Sequence, residues 1–280
     1  MSALKNHSLI AFFVLAFAFA WTMWLLTALY PDSAAYIPSP TFGPLIAAVV
    51  VLALTRGRSG VRELLSRMVR WRVGLRWYAV VLLLPVALIL VAVYMNVLLG
   101  ASAPSAAELG QWPRLFLMFP LLLIFDGPLG EEPGWRGYAL PRLQAGRSAL
   151  AASLVLGAIW AFWHLPKLMM DSSFRPVPFV LFAFAGAILF TWVYNSTNGS
   201  VLLTILFHTS VNAIGGTFFF SMFSGADLTR LWWLQAAVYC AAAIVVVIVA
   251  GPAHLSRKHA KQEEENLVQP EVATPVPRVT

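Results

Sequence analysis

Two adjacent carboxylates follow the apolar run Leu115–Ile124 directly, within Gly130-Glu131-Glu132-Pro133-Gly134-Trp135-Arg136-Gly137. An ionised acid at membrane depth costs roughly 2.5 kcal/mol or more, so one placed there is a functional candidate from the outset. His164 and His208 also stand in long apolar runs. Residues four apart share a helix face. That spacing pairs Glu132 with Arg136, Glu131 with Trp135, Trp160 with His164, and His208 with Asn212. Arg136 can neutralise and orient Glu132, while His208 and Asn212 present an imidazole and a carboxamide to one point.

Such a set suits hydrolysis, which needs an activated water and a donor for the developing oxyanion. Glu131 with His164 can activate water directly or by holding a metal. His208 with Asn212 can supply oxyanion donors, or His208 can be a further ligand. Zinc accepts His and carboxylate ligands in open catalytic sites, which makes Glu131, His164 and His208 the candidate metal set. The HExxH signature is absent. Taken singly, a membrane histidine is more often a packing hydrogen-bond donor, and Glu132 with Arg136 is a structural ion pair. The three spacings in one chain carry the catalytic reading.

The elements that must position these residues are membrane helices. The 280 residues are 60% hydrophobic and 11% charged, with a mean hydropathy of +0.77, and several apolar runs suffice to cross about 30 Å of hydrocarbon. The fold class is all-α: a polytopic membrane protein of about eight transmembrane helices. The expected spans are Leu9–Tyr30, Phe42–Thr55, Tyr78–Leu99, a fourth from Trp112-Pro113 into the carboxylate motif, Ser148–Leu165, Pro178–Tyr194, Ser200–Gly216 and Leu231–Ala250. The first is too long for a signal segment and lacks a small-residue cleavage site. Between spans two and three, Val61–Trp77 interleaves five arginines with apolar residues and reads as a basic interfacial helix. Residues 1–251 form the membrane-embedded domain, with the motifs in about 113–216. Residues 252–280 read as a disordered polar tail. Asp126 is left as a helix-terminal or loop residue, and Phe218-Phe219-Phe220 and Trp232-Trp233 are assigned to interface belts.

The net charge of +7 comes from arginines clustered in particular loops, Arg56 to Arg76 and Arg136 to Arg147. That is topology information, not the one-sided footprint of a nucleic-acid binder. The positive-inside rule puts both termini and the basic loops on the cytoplasmic side, in a bacterial plasma membrane. The lone Cys240 excludes an internal disulfide or a CxxC site and reads as a small core residue. Glu131 and His164 lie about 15 and 18 residues from the turn at Ala145-Gly146, so at 1.5 Å per residue both sit roughly 22–27 Å from it. His208 is only about 14 Å from its own turn on the same rise. The depths agree if the Arg142-Arg147 tip projects beyond the membrane.

The motifs resemble the CPBP family, which joins type-two CAAX prenyl proteases with bacteriocin-processing and immunity (Abi) proteins. The family pattern is EExxxR, FxxxH and HxxxN, each on a membrane helix. Here it is matched by Glu131-Glu132-Pro133-Gly134-Trp135-Arg136, by Trp160 to His164 with Trp in place of Phe, and by His208 to Asn212. The resemblance covers roughly Pro113–Gly216. It implies an eight-helix intramembrane endopeptidase, a metalloprotease by family label, with its site opening to the cytoplasmic leaflet. Glu131 and His164 would activate water, and His208 and Asn212 would steady the tetrahedral intermediate. The implied partners are the lipid bilayer and a membrane-anchored or hydrophobic protein or peptide, which in the CAAX case is prenylated. The rival readings are a non-catalytic scaffold or immunity protein, and a transporter with a carboxylate relay. The absence of visible inverted repeats weighs against the transporter.

Overall fold

The computed structural model describes residues 7–125 and 127–257. Asp126 and most of the expected tail, residues 258–280, lie outside that range. Every described element is helical, as a lipid environment requires of a chain that must satisfy its backbone polar groups within each segment. The main helices are α1 (Ser8–Leu29), α2 (Gly43–Met68), α3 (Leu75–Leu98), α4 (Arg114–Phe125), α5 (Pro128–Glu132), α6 (Leu140–Gln144), α7 (Ala149–Trp163), α8 (Leu165–Met170), α9 (Pro176–Ser196), α10 (Val201–Ser210) and α11 (Gly225–Ala250). Pro133–Ala139 joins α5 to α6 as a π-helix, and a second π-helix, Val211–Phe219, continues α10.

Among the described residues, six helices are long and apolar enough to cross a membrane: Ser8–Leu29, Pro40–Met68, Leu75–Leu98, Pro176–Ser196, Val201–Met222 and Gly225–Ala250. The expected fourth and fifth spans take other forms. The fourth is broken into α4, α5, the π-helix and α6. The fifth, α7, has only 15 residues. It ends because Pro166 supplies no N–H and cannot continue the ladder.

The first half of the expected interfacial helix is helical and is set off from the apolar part of α2 by non-helical backbone at Gly57 (φ 63°, ψ −154°). It runs to Met68, and the last residues of the expected helix already belong to α3. The apolar residues assigned to its buried stripe divide accordingly. Leu64 is buried in the core, while Leu65, Val69 and Trp71 are exposed. The belt assignment is also corrected in part. Trp233 is exposed, but Phe219 and Trp232 are buried, and Trp232 packs edge-on against Phe220 at 4.7 Å. Cys240 is half-buried in α11.

Helix α9 is the most enclosed of the spanning helices and packs between α7 and α11. Small residues let the other helices close on the motif. An added Cβ on Gly43 would come within 2.8 Å of the Ala16 carbonyl oxygen, and one on Gly134 would meet the backbone of Pro44. Such close approach is how membrane helices gain packing where lipid removes the hydrophobic drive.

The bundle has two chemically distinct ends. At one, Ser200 caps α10 and donates to Arg70 O at 2.7 Å, Asn195 bonds Gln144 and His254 O, and Tyr138 reaches Ser8 O. Residues 252–257 belong to this packed end. Pro252 and Ala253 accept from the first turn of α7, and Leu255 and Ser256 are buried. The chain therefore stays packed past the composition change at Gly251. This end carries the arginines from Arg56 to Arg76, with Arg142, Arg147 and Arg257. At the other end Arg114, Lys167, Arg175 and Arg230 are balanced by Asp32, Glu108, Asp171 and Asp227.

Candidate active site

Gly127 (φ +115°) starts α5 in a backbone conformation that side chains disfavour. An added Cβ there would lie 2.6 Å from Oε1 of Glu131, so the carboxylate is seated over a bare backbone. Pro133 then interrupts the regular ladder, and the chain relaxes into the π-helix. Both carboxylates are buried: Glu131 is 2% exposed and Glu132 fully enclosed.

Glu132 is the structural member of the pair. Its Oε1 accepts from Arg136 at 2.9 Å and from Nδ1 of His208 at 2.9 Å. The Arg136 guanidinium lies over the rings of Phe190 (4.2 Å) and Trp160 (5.0 Å), which partly replaces the water it has lost. Breaking one member of such a buried set costs about 3–5 kcal/mol, since it strands the other charge.

Glu131 is held differently. Its Oε2 accepts the indole N–H of Trp160 at 2.7 Å. Trp135, the aromatic neighbour expected from helical spacing, packs instead on Phe12 and Trp163. The aromatic wall of Glu131 thus comes from α7.

His164 sits at the junction of α7 and α8 with its Nδ1 2.9 Å from Trp160 O. A carbonyl only accepts, so Nδ1 carries the proton and Nε2 is left as the acceptor. The ring is packed edge-on by Trp163 (4.7 Å), Phe179 (5.1 Å) and Trp160 (5.4 Å). His208, one turn inside α10, contacts Trp160 and Phe190 edge-on. Asn212 follows in the π-helix.

Glu131, His164, His208 and Asn212 all line one cavity of about 80 Å³, together with Trp160, Lys167 and Thr41. Glu132 and Arg136 do not line it. They stand behind His208. Lys167 and Thr41 were not singled out from the sequence, because the short α8 and the turn Pro40–Phe42 that carry them are too brief for spacing to give a signal. Among the described residues no group of three His, Cys, Asp or Glu side chains is drawn together closely enough to hold a metal ion, although Glu131, His164 and His208 line one cavity. The two Nδ1 atoms are already directed at Trp160 O and Glu132.

The cavity adjoins a larger one of about 420 Å³ through Lys167, Phe174, Phe179, Phe182, Val211 and Asn212. The larger space reaches the exposed Ser173 and Ser221, at the end opposite the arginines. Two expectations are therefore in conflict. The basic loops cannot be cytoplasmic while the site opens to the cytoplasmic leaflet.

A sequence model for the type II CAAX prenyl endopeptidase, Rce1-like, matches residues 112–214, which contain every motif residue. The chain is also 25% identical over 221 residues to CAAX prenyl protease 2 of Methanococcus maripaludis, covering 72% of this chain and 81% of that protein. Taken with the buried acid–histidine cavity and the helical membrane fold, these matches make the chain similar over its motif segment to type II CAAX prenyl endopeptidases and support a membrane-embedded protease.

Proposed function

We propose that this endopeptidase hydrolyses a peptide bond in a membrane-anchored or hydrophobic protein or peptide, with water activated by Glu131 and His164. The observation carrying this reading is the convergence of Glu131, His164, His208 and Asn212 on one cavity of about 80 Å³. That space holds a water, whose share of liquid volume is about 30 Å³.

Glu131 takes a proton from the water, which is steadied by the Nε2 lone pair of His164. The hydroxide adds to the substrate carbonyl carbon. The oxyanion formed is met by His208 Nε2 and the Asn212 amide. Glu132 fixes the His208 ring, and as an imidazolium His208 brings the set of Glu131, Glu132, Arg136 and His208 to zero net charge. Collapse breaks the C–N bond, and Glu131 returns its proton to the leaving amine. The products are a carboxylate and an amine. Each step above runs through side chains alone; in the zinc alternative Glu131 and the Nε2 atoms of His164 and His208 would hold the ion, which would lower the pKa of its water.

The charge rule rests on this chain's own residues, so we read the arginine-rich end and both termini as cytoplasmic, in a bacterial plasma membrane. The substrate is then presented at the opposite side. A prenylated CAAX sequence, the substrate class in the relative's name, would have to reach the same opening.

The test compares cells expressing wild type or Glu131→Gln at matched membrane levels, with new protein termini catalogued by mass spectrometry. Termini found only with the wild type are expected. Identical catalogues, with the cellular phenotype intact in both, would replace proteolysis with the scaffold reading.

A further inference from the structure

Gln235 stands in the middle of α11, a 26-residue helix that is otherwise apolar over most of its length. A buried amide in a membrane helix ordinarily bonds across to a neighbouring helix. Gln235 is 4% exposed, and its Oε1 has no hydrogen-bond partner. Unpaired buried acceptors are rare enough that each calls for a ligand or a role. Gln235 is among the residues that line the 420 Å³ chamber beside the catalytic cavity, with Oε1 itself turned out of the open space.

The rest of the chamber suits a peptide. Its walls combine aromatic residues, Phe179, Phe220 and Trp232 among them, with polar ones such as Asn212 and Thr217, and its volume lies in the ~300–1,000 Å³ range of ligand pockets. Lys167 borders both spaces and takes part in no ion pair among the described residues. Thr217 and Ser221 are shared with a third cavity, of about 280 Å³, beneath α4. No α4 residue is buried, so this helix stands outermost, against lipid. The three cavities share walls in sequence, from the outermost helix α4 to Glu131.

We infer that the chamber is the subsite for the substrate segment flanking the scissile bond, and that the Gln235 amide turns into it to accept a backbone N–H of that segment through Oε1. The occupant is a short extended run of apolar residues. Gln235 is a specificity-determining residue, acting on the peptide backbone while the aromatic walls select side chains. A site built to bond a substrate N–H discriminates against an analogue that lacks it, because the buried acceptor is then left unpaired. The inference rests on the proteolytic reading above.

The experiment uses the full chain in nanodiscs and a set of apolar peptides carrying photo-leucine, each in a parent form and a series of single backbone N-methyl forms. In the non-hydrolysing Glu131→Gln protein, photo-adducts are expected on Phe220, Leu228 or Trp232. In the wild type, one N-methyl position is expected to lower cleavage about tenfold or more, and Gln235→Leu to erase the penalty at that position alone. A merely structural Gln235 would lower all forms alike. Cleavage with adducts only outside the chamber, or an N-methyl profile unchanged by Gln235→Leu, overturns the subsite. Chamber adducts without cleavage of any peptide overturn the proteolytic reading and leave the chamber as a peptide site.

Discussion

The indole N–H of Trp160 donates to Oε2 of Glu131 at 2.7 Å, joining residues 29 apart in sequence. The same residue offers its carbonyl to Nδ1 of His164, so a single side chain and its backbone orient both groups proposed to activate water. The family pattern carries Phe at this position. Trp is therefore more than a conservative exchange here, since it brings a donor that Phe lacks.

Trp160→Phe is expected to keep the edge-on ring contacts and lose the hydrogen bond. Hydrogen bonds to charged groups are worth about 1.5–3 kcal/mol, and ~1.4 kcal/mol is tenfold in rate. Steady-state kinetics should show kcat lowered about tenfold or more, with KM little changed. An unchanged kcat would remove Trp160 from the positioning of Glu131.

Glu132→Ala should destabilise the protein by about 3–5 kcal/mol, because it strands the Arg136 guanidinium in the interior. Adding Arg136→Met should recover much of that stability without recovering activity, since His208 still lacks its anchor. Unfolding in detergent and a turnover assay on the three proteins check both halves. A double variant no more stable than Glu132→Ala would mean the charge pair is not the source of the loss.

Orientation is testable through the single cysteine. In a Cys240→Ala background, Ser172→Cys marks the chamber end and Ser66→Cys the arginine end, both exposed. A membrane-impermeant maleimide on intact cells should label the first and reach the second only after permeabilisation. The reverse pattern would put the site on the cytoplasmic side and make this chain an exception to the positive-inside rule.

The loop before α4 carries a pH-sensitive turn. The hydroxyl of Ser105, then its backbone N–H, holds the carboxyl of Glu108 below its ordinary range, in a capping box over Ala106–Leu109. A depressed folded-state value means the stabilisation is present above the ordinary carboxylate range and lost as pH falls through the lowered value. Hydrogen exchange at residues 105–111 should therefore rise as the medium is acidified through that range. Ser105→Ala should exchange fast at neutral pH too. Acid-independent protection in the wild type would contradict the capping role.

Much of the chemistry was legible in the residues themselves. The spacing of Glu132 and Arg136 survives in the structure as a bond, because the fourth residue along still faces its partner where α5 enters the π-turn. His208 and Asn212 line one cavity, as their spacing implied. Hydropathy was enough to give an all-helical membrane protein, since a lipid solvent leaves few other choices.

Other features depended on contacts that no local pattern encodes. The break at Gly127 and Pro133 turned Trp135 toward Phe12 and gave Glu131 its aromatic partner from α7. The basic stretch after Gly57 joined α2 and α3 because Leu64 found a buried place in the core while its apolar neighbours did not. Trp232 looked like an interface anchor and became a chamber wall. The sequence by itself determined which groups sit at membrane depth, through composition and spacing, which are local properties of a helix. Only the tertiary structure decided which end of the bundle they open toward and which helices supply their partners. Those outcomes depend on helix ends and close backbone approaches far apart in the chain.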